Sequence, residues 1–206
     1  IDAVEAGFLP EGNENYPHIE ELLSDLDDPN YPLGGSTNVY LGDPENIWQT
    51  ELRTKKDGSL LMKGDELTDQ EYSNHSPKTE ERLKAIMKNK GVVPKKFQNK
   101  KFSIKWLPKK WGNNGPNITV TSAPDDFIHF SRPRSLTVRE CARLQTFPDW
   151  YKFMGKRTTG GLRRAGNPQK KIFERELPKY TQIGNAVPVK LARQIGFHFK
   201  EILEDA

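Results

Sequence analysis

Cysteine is almost missing from these 206 residues: Cys141 stands alone. A lone thiol excludes an internal disulfide and any cysteine-rich zinc site. Long apolar runs are missing too, with nothing near the ~18 residues of a membrane-crossing helix, and no signal peptide is recognisable. The chain starts at Ile1, for which a processed or partial polypeptide is the simplest expectation. Hydrophobic residues reach only 34% and the mean hydropathy is −0.80, so the core is thin and much of the chain must be surface, loop or interface. His18, His75, His129 and His198 are the only histidines and lack metal-ligand spacing, which points to surface or core residues. No Asp or Glu is followed two places later by Lys, which argues against the common metal-dependent nuclease. Lys and Arg are absent from residues 1–50, which carry 11 carboxylates. The remainder holds all 32 basic residues against 17 acidic ones, the footprint of a polyanion binder with an acidic leader.

Against these absences stands one dense stretch, Arg134 to Asp149, RSLTVRECARLQTFPD. Thr137 and Glu140 have capping-box spacing, and Val138, Cys141, Ala142 and Gln145 share one helical face. Phe147-Pro148 should end the helix, because the residue before proline is pushed from the α region. Arg139 and Arg143 lie four apart, like charges that call for an anionic neighbour.

Earlier in the chain, Ile19, Leu22, Leu23 and Leu26 predict a short helix ended before Pro29. Val39-Tyr40-Leu41 and Leu60-Leu61-Met62 are strand candidates, with Lys56-Asp57-Gly58 a turn between strands. Ser76, Pro77 and Gly91 bracket a second helix with Leu83, Ile86 and Met87 inward. Its outer residues Arg82, Lys84, Lys88 and Lys90 fit either a solvated face or phosphate contact. Residues 93–115 interleave Lys95, Lys96, Lys100, Lys101, Lys105, Lys109 and Lys110 with Phe97, Phe102, Trp106 and Trp111. Such lysines can neutralise phosphates. The two tryptophans suit packing better than base stacking. Gly112-Asn113-Asn114-Gly115 reads as a loop, and Ile118, Val120 and Ser122 as a short strand. Lys156 to Lys179 is a glycine-interrupted loop rich in cations, among them Arg157, Arg163 and Arg164; it fits a surface loop or a DNA clamp. Pro188 opens a final helix whose stripe of Ala192, Ile195, Phe199 and Ile202 suits core packing.

The stretch 134–149 resembles the ninth motif of the DNA cytosine-5 methyltransferases. QIGNAVPVKLA, from Gln182 to Ala192, resembles their tenth, and GPNITVTSAPDDFIHFSRPRS resembles the lead-in to the ninth. The resemblance implies an α/β fold: the C-terminal portion of a Rossmann-like S-adenosylmethionine-dependent methyltransferase with a small, loop-rich mixed α+β target-recognition domain. Residues 1–35 would be an acidic connector packing on the catalytic domain, 36–130 the target-recognition region, and 131–206 the ninth and tenth motifs with the C-terminal helix. Gln182, Gly184, Asn185 and Ala186 would wall the S-adenosylmethionine pocket; many relatives carry serine where this chain has Ala186. The expected contacts to double-stranded DNA are Lys95, Lys96, Lys105, Lys109, Lys110, Asn113, Asn114, Lys156, Arg157, Arg163 and Arg164.

The family's chemistry needs a cysteine thiolate, added to carbon 6 of a flipped cytosine before methylation at carbon 5. By resemblance it resides in a Pro-Cys segment, with Phe-x-Gly-x-Gly and Glu-Asn-Val segments beside it, and none of the three occurs here. Cys141 lies inside the ninth-motif helix and is not expected to be the nucleophile. No catalytic residue is therefore expected in this chain, which alone should not methylate DNA. The catalytic half would be joined in cis or supplied as a separate subunit. A non-catalytic DNA-binding module is the rival reading. The resemblance further implies a bacterial or phage restriction-modification setting in the cytoplasm.

Overall fold

Helix α1 (Ile19–Leu23), continued by a 3-10 turn at Ser24–Leu26, buries all four apolar residues that predicted it. The computed structural model describes residues 17–98, 104–110, 127–158, 167–171 and 177–204, with Gly7, Leu9, Pro10 and Phe173. α1 packs on α2 (Ile47–Arg53), a helix the apolar pattern did not predict. Asn46 caps it, its side chain accepting the Gln49 N–H at 3.0 Å. The two strand candidates form no ladder. Instead, isolated antiparallel bridges join Ser36 to Glu71, Val39 to Glu66 and Thr54 to Leu60. The alternation is real, with Tyr40 only 2% exposed between exposed Val39 and Leu41. The turn at 56–58 links the end of α2 to Leu60 rather than joining two strands, and Gly58 supplies its left-handed φ of +82°.

Helix α3 (Pro77–Lys88) is capped by Ser76, whose hydroxyl accepts the Thr79 N–H. It buries Leu83 and Ile86 and closes through left-handed Lys90 and Gly91. Lys84, Lys88 and Lys90 are exposed as predicted, but Arg82 is half-buried. Strand β1 (Lys105–Trp106) runs parallel to β2 (Phe127–Ile128), the one sheet among the described residues. Trp106 packs with Leu83, Ile86 and Ile128 and donates its indole N–H to the Phe130 carbonyl at 3.3 Å, so it is a packing residue. Trp111, the loop 112–115 and the predicted strand at Ile118–Ser122 lie outside the described residues.

Helix α4 (Val138–Leu144) occupies the centre, against α1 on one side and α5 (Lys179–Asn185) on the other. Its capping box forms as predicted: Thr137 Oγ1 accepts the Glu140 N–H at 3.1 Å, and the Glu140 carboxylate accepts the Thr137 N–H at 2.9 Å. Val138, Cys141, Ala142 and Gln145 are buried. The helix stops at Leu144, earlier than Pro148 requires. Thr146 turns left-handed at φ +57°. Its N–H reaches the Arg143 carbonyl, and the Phe147 N–H reaches the Ala142 carbonyl, each at 2.9 Å. This is a Schellman closure with a β-branched residue where glycine is usual. Such a conformation costs about 1–3 kcal/mol.

The predicted turn at Gly184-Asn185 is in fact the last turn of α5. α5 buries Tyr180 and Ile183, and the Tyr180 hydroxyl donates to the Leu136 carbonyl at 2.7 Å. Pro188 opens α6 (Val189–Glu204), as expected. The predicted core packing of α6 does not occur among the described residues. Leu191, Phe199 and Ile202 are 41–47% exposed, because no described element lies over their stripe. No helix among the described residues is long and apolar enough to cross a membrane.

Candidate functional site

Four arginines, Arg53, Arg134, Arg139 and Arg143, are at most 1% exposed and meet around α4. The anionic neighbours that Arg139 and Arg143 called for are the protein's own carboxylates. Arg143 bonds both Asp25 oxygens, donates to both Asp149 oxygens at 2.6–3.2 Å, and reaches the Leu22 carbonyl. Asp25 also receives Arg53 Nε at 2.8 Å, and Asp149 receives the Tyr40 hydroxyl at 2.7 Å. Burial opposes ionisation of Asp149, yet Arg143 prevails and holds its carboxyl below the usual value. Burial, with Asp149 beside it, pushes the Tyr40 hydroxyl far upward. Buried charges persist only where every partner is present, because removing one strands the other.

Residues 68–70 attach to the start of α4. Arg139 donates its backbone N–H to the Asp69 carbonyl at 3.0 Å and its guanidinium to the carbonyls of Thr68 and Tyr151. Asp69, itself left-handed at φ +65°, accepts Lys179 Nζ at 2.6 Å and so ties this strap to the first residue of α5. Gln70 accepts the Thr137 hydroxyl and donates to Leu26 and Glu140. Glu140 also receives both terminal nitrogens of Arg134, at 2.7 and 2.8 Å. Burial would raise its carboxyl, but the Arg134 charge overcomes this and holds it at about 2. His129 lies 3.6 Å away, lowered to about 3 by burial and then by Arg134, and so is neutral. Its Nδ1 accepts the N–H groups of Ser131 and Arg132. Among the described residues no His, Cys, Asp and Glu cluster could hold a metal ion.

The residues predicted to wall a cofactor pocket divide into two kinds. Gln182 spends both amide N–H donors on the carbonyls of Met154 and Leu177, at 2.8 and 3.0 Å, so it staples the loop after α4 to the start of α5. Asn185 ends α5 with an exposed side chain, Gly184 and Ala186 beside it are half-buried, and Ala186 leaves the helix in extended conformation. A cleft of about 450 Å³ opens beside α6, lined by Leu22, Trp48, Leu52, Thr146, Lys190 and Phe197 among others. A second, of about 420 Å³, runs along Glu66–Glu71, Lys152–Met154 and Lys179. Neither includes 182–186.

Of the predicted DNA contacts, Lys95, Lys96, Lys105, Lys109, Lys110 and Lys156 are exposed. Lys96 pairs with Glu81 at 2.7 Å and Lys109 with Glu20 at 2.6 Å. Arg157 is half-buried and donates to Ser73 Oγ at 2.6 Å, so it serves an internal contact. Asn113, Asn114, Arg163 and Arg164 lie outside the described residues. Sequence reasoning missed the Asp25–Arg53 pair and the Thr68–Gln70 strap; only Asn46, a cap ahead of α2, signalled the element that carries Arg53.

The profile of the C-5 cytosine-specific DNA methylases matches residues 13–201. The chain belongs to this family. Among curated methylases, it is 31% identical over 203 residues to the type II methyltransferase M.DdeI of Desulfomicrobium norvegicum, covering 91% of this chain and 44% of that protein. It is 33% identical over 145 residues to the type II methyltransferase M.AquIB of Picosynechococcus, covering 70% of this chain and 95% of that one. The chain thus spans under half of the first relative and nearly fills the second. The fold is shared with a prophage-encoded protein of E. coli described as a DNA modification methyltransferase, at TM-score 0.53 and 19% identity over 97% of this chain and 51% of that one.

Proposed function

We propose that this methylase chain supplies the DNA grip and one wall of the S-adenosylmethionine pocket, while the catalytic cysteine belongs to polypeptide outside residues 1–206. The observation that carries this reading is Cys141. It is 2% exposed on the inner face of α4, where no flipped base can meet it. A nucleophilic thiol needs access and an environment that favours thiolate. In the reaction proposed, a cysteine of the catalytic half adds to carbon 6 of the flipped cytosine. Carbon 5 then takes the methyl group, with S-adenosylhomocysteine released; a base of the catalytic half would remove the carbon-5 proton as the thiolate leaves carbon 6. S-adenosylmethionine supplies that methyl as an electrophile when bound.

The residues here fit the cofactor in a particular way. The Asn185 side chain makes no hydrogen bond among the described residues and keeps a donor and an acceptor for a ligand. Gln182 instead orients the segment, since its N–H groups are committed. Double-stranded DNA would meet the lysines at 95, 105 and 110, which form no ion pair among the described residues. M.DdeI, more than twice the length matched, fits a catalytic half joined in cis, and M.AquIB, nearly filled by the match, fits one supplied as a separate subunit.

The experiment is a methyl-transfer assay with labelled S-adenosylmethionine on DNA. The chain alone should give none, and addition of a catalytic half bearing the Pro-Cys segment should restore transfer. Robust turnover by the chain alone would overturn the reading. So would unchanged S-adenosylmethionine affinity of the catalytic half on adding this chain, which would favour a non-catalytic DNA-binding module.

A further inference from the structure

The end of α4 and the start of α6 meet head to tail. α6 has no Ser, Thr, Asp or Asn at its N-cap, because Pro188 stands there. Its first N–H groups are satisfied from α4 instead. The Gln145 carbonyl accepts the Val189 N–H at 3.1 Å, and Thr146 Oγ1 accepts the Lys190 N–H at 2.9 Å. Lys190 is held at its other end too, with Nζ 2.5 Å from Glu51 and 4.6 Å from the centre of the Trp48 ring. The hydroxyl reaches its partner from a residue held at φ +57°, a region that β-branched side chains avoid. Glycine would take this turn without strain. The strained threonine therefore makes sense only through what its hydroxyl does.

We infer that Thr146 is a positioning residue, capping α6 from another helix and thereby fixing the Ala186–Pro188 connection and the last turn of α5, Gly184-Asn185, that leads into it. This rests on the reading that the 184–186 segment borders the methyl donor. The ninth motif then sets the tenth in place through one side-chain oxygen, and the helix ends carry opposite partial charges that favour the junction.

Thr146→Ser keeps the hydroxyl, Thr146→Val keeps the shape without it, and Thr146→Gly relieves the backbone while losing it. Hydrogen exchange by NMR on the whole chain reads the Lys190 amide directly. Exchange is expected about tenfold faster in the Val and Gly variants, equivalent to about 1.4 kcal/mol, and near the parent rate in Ser. The Gly variant does not depend on tolerating strain, so it stands if Val fails to fold. Equal Lys190 protection in parent and Gly variant overturns the cap. With the catalytic half present, the Val and Gly variants should raise KM for S-adenosylmethionine with kcat nearly unchanged, and Ser should restore it. Faster exchange with an unchanged KM overturns the positioning role and leaves the family reading intact. If the parent chain gives no methyl transfer with the catalytic half, it is the proposed function that fails, and the exchange measurement still decides the cap.

Discussion

Replacing Glu140 with Gln separates shape from charge at a fully enclosed carboxylate. Glu140 is fully buried, binds Arg134 through both oxygens, and completes the α4 capping box. At pH 7 the variant leaves Arg134 buried beside a neutral amide, which should cost about 3–5 kcal/mol. The pH dependence is more diagnostic. The folded carboxyl sits at about 2 against 4.5 for an ordinary glutamate. Because the folded value is the lower one, the unfolded chain takes up the proton first as pH falls. The stabilisation is complete above pH 4.5 and lost progressively towards pH 2. With about 1.4 kcal/mol for each tenfold change in proton affinity, the whole contribution is about 3 kcal/mol, of which roughly 2 kcal/mol is gone by pH 3. Gln cannot titrate, so the stability gap between parent and variant should narrow by that amount between pH 7 and pH 3. Urea unfolding followed by circular dichroism at both pH values measures it. A gap that stays constant, or widens in acid, would refute the ion-paired assignment.

Three further outcomes follow from the same geometry. Cys141→Ala should leave methyl transfer by the reconstituted enzyme intact and cost about 1 kcal/mol in stability; abolished transfer in a folded variant would make this thiol the nucleophile. Asp69→Asn removes the charge shared by Lys179 and Arg139 and should lower the urea midpoint by the equivalent of about 1–2 kcal/mol, whereas an unchanged midpoint would mean the strap does not hold α5. Changing Lys95, Lys105 and Lys110 together to Ala should reduce the slope of log Kd against log salt for duplex DNA by nearly 3, about 0.9 for each phosphate contact. The same change at Lys96 and Lys109, already paired with carboxylates, should reduce it less.

What was legible in the sequence was local. The caps at Ser76 and Thr137 and the apolar faces of α1, α3 and α4 depend on neighbours within four residues, and all formed as predicted. The pairing of Arg139 and Arg143 with anions was also legible, though not with which. α2 was hidden because two of its three inward residues, Gln49 and Arg53, are polar, and Ile47 is 74% exposed. Gly184 and Asn185 suggested a break, but Tyr180 and Ile183 anchor α5 firmly enough to carry the helix through them. The stripe on α6 was readable as apolar, while its cover is not among the described residues. Long-range partners such as Asp25 for Arg143 and Asp69 for Lys179 leave no trace in spacing, since they lie 118 and 110 positions apart.

The strap at Thr68–Gln70 bears on how specificity could be exchanged between relatives. Its three residues lie within the region expected to read DNA, yet they bond the arginine, threonine and lysine that begin α4 and α5, with Leu26, Thr37 and Glu140 beside them. A graft cut on the far side of Glu71 would leave these anchors native but would still replace Tyr72, Ser73 and His75, which contact Thr37, Ser135 and Arg157. A graft that replaced the strap would need to import the matching ends of both helices, because Thr137, Arg139 and Lys179 are its partners.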